Sequence, residues 1–355
     1  MTSRSPDVLK VSVIIPTYNM ASYLPFALLS AIDDTSVTRE IIVVDDGSTD
    51  ETMSTIEPYL GQIRYIRRDG SAGPSVARNA AIEVAGGEYI RLLDADDILV
   101  RGSLRVQAEA LDRQPQAAMV WGQARVIDQH GVICGERLST PPSDTELVSS
   151  ESAFRWLLTR NQICTSAVMV RRSSLASAGL FDPRSEPGED WAMWLSLTNE
   201  SDVAYASSPV VYYRNHPDSI TAHYTVAKKQ TSHTYALGRL FDSPNVRYPH
   251  LKNLAYARLD SALALTAAEL RDRPAVLRHF AQSLRRRPAQ LFDGVTARAA
   301  AETAKSLLPR GVVRAISGVR TARRRRFISE SVRTAVQFPV ASERGDEALE
   351  VSADG

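Results

Sequence analysis

Cysteine is scarce. Only Cys134 and Cys164 occur in 355 residues, which excludes a disulfide framework and offers no metal-ligand spacing. A reducing compartment suits such a chain. Long apolar runs are missing too: no stretch approaches the ~18 uninterrupted apolar residues of a membrane span, and residues 1–10 hold no apolar run of signal-peptide length. The expectation is a cytoplasmic protein that neither crosses a membrane nor is exported by that route. Lysine is confined to positions 10, 228, 229, 252 and 305, so the basic residues are overwhelmingly arginine, a bias of composition more than of chemistry.

What is present is enough to fold. An apolar fraction of 44% with 23% charged residues supports a sizeable core, and the length suits one large α/β domain plus a smaller unit. The formal net charge of +1 conceals an asymmetry: residues 271–327 carry 15 Lys or Arg against three acids, Asp272, Asp293 and Glu302. That segment has a positive patch of its own.

The first hundred residues alternate apolar runs with helix-like segments, the pattern of βαβ units feeding a parallel sheet. Residues 11–15 read as a buried strand stopped by Pro16, and residues 23–32 place Leu24, Ala27, Leu28 and Ala31 on one helical face. A second strand spans 41–44. Ser48 and Glu51 then have capping-box spacing, predicting a helix to about Tyr59. A third strand at 63–66, a helix at 74–84 and a fourth strand at 89–93 follow. Periodicity weakens over 118–148, where short strands and a hairpin turn at His130-Gly131 are expected. Strands at 168–170, 203–206 and 210–213 surround a helix at 191–198. We expect the catalytic module to occupy residues 1–223, a helical, Arg-rich region 224–338, and a disordered acidic tail 339–355.

Three polar clusters, at 17–19, 45–48 and 94–97, each follow the carboxyl end of a strand. In open α/β sheets that edge is where ligands bind. In Asp94-Ala95-Asp96, two carboxylates one residue apart can reach a divalent ion and the diphosphate it bridges, since Mg²⁺ is usually held by one or two carboxylates plus phosphate oxygens. An isolated D-x-D is also an acidic turn. Asp46 could likewise be a turn former, Arg78 a surface ion pair, and Glu189-Asp190 a helix start favoured by the macrodipole.

Taken together, Val13-Ile14-Ile15-Pro16-Thr17-Tyr18-Asn19, Val43-Val44-Asp45-Asp46-Gly47-Ser48-Thr49-Asp50, Gly73-Pro74-Ser75-Val76-Ala77-Arg78-Asn79, the run from Gly87 through Asp97, and Gly188-Glu189-Asp190-Trp191 resemble the family-2 glycosyltransferases of GT-A fold. The resemblance covers roughly residues 11–222 and none of the remaining third. It implies a Rossmann-like, mostly parallel central sheet flanked by helices, followed by a mainly helical C-terminal region. It also implies an inverting transfer of one sugar from a nucleotide diphosphate sugar, commonly UDP-linked, to a hydroxyl on a glycan or lipid-linked acceptor. The cofactor it implies is Mg²⁺ or Mn²⁺.

Residue by residue, the family's base and ribose contacts fall on Pro16, Thr17 and Tyr18, and its acceptor of a base hydrogen bond on Asp46. Arg78 would meet the base or diphosphate, Asp94 and Ala95 would lie against the donor, and Asp96 is the implied metal ligand. Asp190 occupies the general-base position, with Glu189 and Trp191 on the acceptor side and Trp194 a second candidate for the pocket floor. Tyr213-Arg214-Asn215-His216 resembles a segment in which Arg214 or His216 closes over the diphosphate, His216 being a further metal-ligand candidate. Asn79 is expected on the helix face behind the site.

Processive members carry Q-x-x-R-W after the catalytic acid. Here Arg155-Trp156 precedes Asp190, and Ser152 stands where Gln should be, so single-residue transfer is expected. A sugar nucleotidyltransferase would need a Gly-rich basic loop after the first strand, which Pro16-Thr17-Tyr18-Asn19 lacks. A silent sugar-nucleotide-binding module is the other alternative. The basic runs Arg285–Arg287 and 323–326 suggest contact with an anionic membrane face. With only Phe280, Phe292 and Phe327 available for stacking, nucleic acid is not expected.

Overall fold

The computed structural model describes residues 9–287, apart from 138, 143–144, 218, 220–223 and 271. The expected boundary at His223, the tail at 339–355 and the second basic run at 323–326 fall outside the described residues.

In chain order the elements are β1 (Val11–Thr17), α1 (Leu24–Asp33), β2 (Arg39–Asp45), α2 (Thr52–Ile56), β3 (Arg64–Arg67), α3 (Pro74–Val84), β4 (Tyr89–Leu92) and β5 (Ile98–Leu99). Then come α4 (Ser103–Arg113), β6 (Ala117–Ile127), β7 (Ile133–Arg137), β8 (Leu147–Val148), α5 (Ser150–Leu157), β9 (Val168–Arg171) and α6 (Arg172–Ala178). The last are α7 (Glu189–Glu200), β10 (Asp202–Arg214), α8 (Val226–Phe241), α9 (Lys252–Glu269) and α10 (Arg273–Arg286).

All ten strands join one sheet in the order β3-β2-β1-β4-β9-β6-β10-β5, with β7 on β6 and β8 on β10. Strands β3, β2, β1 and β4 are mutually parallel, and β6 is parallel to β10. Antiparallel β9 sits between β4 and β6, so those two flanking strands run the same way. The carboxyl ends of β1, β2, β4, β6 and β10 therefore share one rim. The segment entering β9 reaches that rim from its amino end.

Alternate residues feed two cores, as the period of a strand requires. Val11, Val13 and Ile15 pack with the α1 stripe Leu24, Ala27, Leu28 and Ala31 and with α4, whereas Ile14, Ile42 and Val44 face α3, α5 and α7. Both faces being covered, β1 and β2 read as continuous β-branched runs, as strands of parallel sheets do. The second core runs without interruption into α8 and α9 through Leu237, Phe241, Leu254, Ala255, Leu259 and Leu263. Arg91, fully buried in β4, donates from Nη1 to the carbonyls of Leu92 and Val168 and from Nη2 to that of Val210. Burial pulls its guanidinium down to about 10, and the carbonyl contacts staple β4 to β9 and β10.

Five local expectations need correction: β1 runs on through Pro16 to Thr17, the stretch expected to hold only short strands contains the 11-residue β6, and three more follow. Ser48 does not cap a helix: α2 starts at Thr52 after Glu51, and the Ser48 hydroxyl accepts from the Asn19 amide at 2.9 Å. Tying two loops outweighs the isolated capping pattern. The strands expected at 203–206 and 210–213 are one strand, β10, whose register shifts at Ala206/Pro209 and Pro209/Val211 absorb Pro209. The helix after Gly188 starts at Glu189 and not at Trp191, because the Gly188 backbone, at φ 114°, ends the preceding turn there.

Candidate active site

The loop after β1 and the loop after β2 hold each other. Asn19, itself at φ 53°, accepts from the Thr49 amide at 2.8 Å and donates its own amide to Ser48. Asp45 is fully buried, taking bonds from Tyr65 Oη at 2.8 Å, Arg67 Nη1 at 3.0 Å and the Ser48 amide at 2.8 Å. Next to it, Asp46 accepts from Arg68 Nε at 2.9 Å, from Ser71 Oγ at 2.9 Å, and from the amides of Ala72 and Gly73, each at 2.8 Å. Its carboxylate thereby fixes the turn leading into α3. Gly47, at φ 83°, passes so close to Gly70 that an added Cβ would meet that backbone at 2.8 Å.

Arg78 projects from α3 and is 5% exposed. Nη2 donates to Asp94 at 2.8 Å and Nη1 to Glu189 at 2.9 Å, while the guanidinium lies 5.5 Å from the Phe181 ring centre. Burial alone would favour losing its proton, but the charges of Asp94 and Glu189 hold it above the ordinary arginine range. Glu189 is pushed upward by its own burial and by Asp190, against the pull of Arg78. One cation thus bridges the acid after β4 to the start of α7. Asn79 holds Phe181 through two hydrogen bonds, Nδ2 to its carbonyl at 2.8 Å and Oδ1 from its amide at 3.0 Å.

Asp190 is oriented by neutral donors. Asn161 Nδ2 and Thr165 Oγ1 reach Oδ2 at 2.7 and 3.0 Å, and the Trp191 amide reaches Oδ1 at 2.6 Å. Sequence reasoning missed Asn161 and Thr165. Their only signal was polar residues just ahead of a buried strand, at its amino end instead of its carboxyl end.

Asp96 faces His216, Oδ2 to Nε2 at 2.9 Å. The His216 ring is buried against Tyr23, with centroids 4.8 Å apart, and its Nδ1 finds no partner among the described residues. Neighbouring Asp97 accepts from the Arg214 amide at 2.8 Å, and burial, then Asp96 and Asp94, push its carboxyl well up. Arg214 does not close over the site. Its Nε donates to the Asp96 carbonyl at 2.8 Å and its guanidinium lies over Tyr23, so it backs the acidic turn from below.

These groups converge on a cavity of about 740 Å³. Pro16, Thr17, Tyr18, Asp46, Arg78, Asp94, Ala95, Asp96, Glu189, Asp190 and Trp191 all line it; His216 and Trp194 do not. Trp194 is fully buried, so only Trp191 of that pair can floor the pocket, its Nε1 bound to the Leu157 carbonyl at 2.8 Å. Tyr18 is 43% exposed, presenting a ring face for stacking. Neither Arg155 nor Trp156 reaches the cavity; Trp156 stacks on Trp121 at 5.5 Å.

The donor set bears on a metal. Among the described residues no group of three or more His, Cys, Asp or Glu side chains could hold an ion alone. Asp96 lines the cavity with Oδ2 on His216, and among the described residues no donor reaches Oδ1. A hard oxygen ligand of this kind suits Mg²⁺ or Mn²⁺ when phosphate oxygens and water complete the shell, so the residues fit an ion shared with a bound diphosphate. No described helix is long and apolar enough to cross a membrane.

The sequence pattern of glycosyl transferase family 2 matches residues 12–178. A Bacillus subtilis glycosyltransferase named for teichuronic acid biosynthesis, TuaG, is 29% identical over 229 residues, covering 63% of this chain and 86% of that protein. A PGL/p-HBAD biosynthesis glycosyltransferase of Mycobacterium bovis is 31% identical over 194 residues, covering 51% of this chain and 66% of the relative. Among solved structures, S. aureus TarS 1–349 in complex with UDP-GlcNAc superposes with a TM-score of 0.62 at 18% identity, covering 84% of this chain and 89% of that one. That likeness establishes a shared GT-A architecture.

Proposed function

We propose, from the premise that this chain belongs to glycosyl transferase family 2, that it inverts the anomeric centre as it moves one sugar from a UDP-sugar to a hydroxyl acceptor. The carrying observation is that Asp96, Asp94, Arg78, Glu189 and Asp190 line one cavity at the carboxyl rim of the sheet, with Arg78 linking its two ends. Tyr18 and Thr17 would receive the base and ribose beside Asp46. Asp94 and Asp96 would face the diphosphate.

Asp190 acts as general base. The acceptor oxygen attacks the anomeric carbon, its proton passes to the Asp190 carboxylate, and the bond to the diphosphate oxygen breaks with its electron pair leaving on the nucleotide. Asn161 and Thr165 hold Oδ2, which fixes the carboxylate's direction in the way pre-organised catalytic groups require. With one carboxylate placed as base, a single displacement suffices and the configuration inverts. A divalent ion held by Asp96 together with phosphate oxygens would, when bound, supply neutralising charge for the departing nucleotide.

Relatives named for teichuronic acid and PGL/p-HBAD biosynthesis favour a surface glycan or glycolipid as the acceptor class. A lipid-linked acceptor would suit a cytoplasmic enzyme held at the inner membrane face, with Arg285 and Arg287 contributing cations from the end of α10 while Arg286 pairs with Asp260 at 3.0 Å. The test is nucleotide release from a panel of UDP-, GDP- and dTDP-sugars, with Mn²⁺ or with EDTA, followed by NMR of the product's anomeric centre. Metal-dependent release from a UDP-sugar with inverted configuration is expected. Retention of configuration, or undiminished turnover in EDTA, would overturn the proposal.

A further inference from the structure

The two ends of the cavity differ in charge balance. At the donor end the cations are interleaved with acids: Asp46 has Arg68, Asp94 and Glu189 share the single cation of Arg78, Asp96 is hydrogen-bonded to His216, and Arg137 lies over Tyr213 in the same stretch of wall. Beyond Asp190 the wall passes to the end of α5 and to α8 and α9, where Leu158, Arg160, Lys229, His233, Arg258 and Leu259 line it. No acid comes from those three segments into the cavity. Neither Arg160 nor Lys229 forms a side-chain ion pair among the described residues, and Asp190 is already held by the neutral donors Asn161 and Thr165.

His233 adds no charge at neutral pH. It stacks on Trp191 at 5.0 Å, and burial, only partly offset by a hydrogen bond to the Lys229 backbone, lowers its imidazole to about 4. The surplus at this end is therefore positive, and it sits beside the carboxylate that must meet the acceptor. Cations gathered in a cleft with low-dielectric walls raise the local concentration of anions. The planar guanidinium of arginine matches phosphate and carboxylate oxygens with paired donors, while Leu158 and Leu259 offer apolar surface to a carbon skeleton.

We propose that the α5–α8–α9 end of the cavity is an acceptor subsite for an anionic group, a phosphate or a carboxylate, carried close to the hydroxyl that is glycosylated. This rests on the transferase reading only in placing the acceptor on the Asp190 side. Arg160 and Lys229 are its principal contacts, and Arg258 lines the same wall.

Calorimetric titration of the full chain tests it. With UDP and Mn²⁺ present, sn-glycerol 3-phosphate is compared with glycerol, and glucuronate with glucose. At least one anion should bind about tenfold or more tightly than its neutral counterpart, weaken with added salt, and lose about tenfold in an Arg160→Ala/Lys229→Ala double variant. Preference for the phosphate or for the carboxylate names the group. Equal binding of charged and neutral probes would overturn the subsite, as would an unchanged affinity in the double variant. UDP titration of that variant is the control for folding and for the donor end: a matching loss of UDP affinity would reassign the cations to the donor diphosphate and also overturn it. Failure of the wild-type chain to bind UDP at all would instead count against the donor assignment, separately from the anion result.

Discussion

Removing Arg78 without replacing its charge should destabilise the protein in a pH-dependent way. In Arg78→Met the side-chain volume is roughly kept, but Asp94 and Glu189 lose the cation that stands 2.8 and 2.9 Å from them. Deleting one partner of a buried ion pair costs ~3–5 kcal/mol, because the other is left uncompensated. The lower end applies here, since the Asp94 side chain is 31% exposed and can regain water, whereas Glu189 at 11% cannot. Loss of the Phe181 ring contact adds about 0.5–1 kcal/mol.

A deficit of about 3.5–4 kcal/mol corresponds to a fall in Tm of about 7–16 °C for a domain of this class. Glu189 already lies above its ordinary value through burial and Asp190, and in the variant the opposing pull of Arg78 is gone, leaving only backbone hydrogen bonding such as that from the Gly188 amide against that rise. A carboxyl whose folded pKa exceeds its unfolded one binds its proton preferentially in the folded state, so the variant regains stability as pH falls through that interval. Differential scanning calorimetry at pH 8 and pH 5 should therefore show a deficit that shrinks on acidification. Arg78→Lys, with one compact charge for two acids, should fall between. A Tm change under about 2 °C at pH 8, or a deficit equal at both pH values, would refute the reasoning.

Three further outcomes follow from the same geometry. Asn161→Ala and Thr165→Val each remove one hydrogen bond to the Asp190 carboxylate and should lower kcat about tenfold while UDP affinity stays within twofold; an unchanged kcat in both would remove their positioning role. Asp182 is raised by burial but brought down to about 2 by bonds from Arg184 and Tyr235, and Arg239 reaches it at 2.6 Å. Its contribution is complete above the unfolded value near 3.9 and is lost as pH falls towards 2. Asp182→Asn should thus cost about 1 kcal/mol in urea unfolding at pH 7 and progressively less at pH 4 and 3, and a gap independent of pH would contradict this. Asp96→Ala should abolish the gain in UDP affinity produced by Mn²⁺, whereas a gain that survives would move the ion elsewhere.

The parallel half of the sheet and its rim were legible because each strand is short, apolar and closed by a polar cluster. Thr17 and Asp45 close β1 and β2 and Asp94 follows β4, although β1 runs on through the Pro16 that the sequence suggested as its stop. The other wall was not legible in that way. Asn161 and Thr165 reach Asp190 only because β9 enters antiparallel between β4 and β6, a pairing with no local signature. Lys229, His233 and Arg258 lie on helices whose apolar spacing announces a core contact but not which cavity their polar flank will meet. Arg214 misled for a related reason. A basic residue at the end of the last long strand fits a closing loop equally well as a buttress, and here Asp97 and the Asp96 carbonyl draw Arg214 inward.

Asp190→Asn keeps the shape of the native residue and one oxygen for Asn161 and Thr165, but it gives up the acceptor that faces the Trp191 amide and cannot take the acceptor's proton. Its measurement is single-turnover transfer from a saturating UDP-sugar in the presence of Mn²⁺, alongside UDP affinity by calorimetry. The account predicts UDP binding within twofold of wild type and transfer slower by about 10²–10⁴. Transfer at an undiminished rate would contradict it.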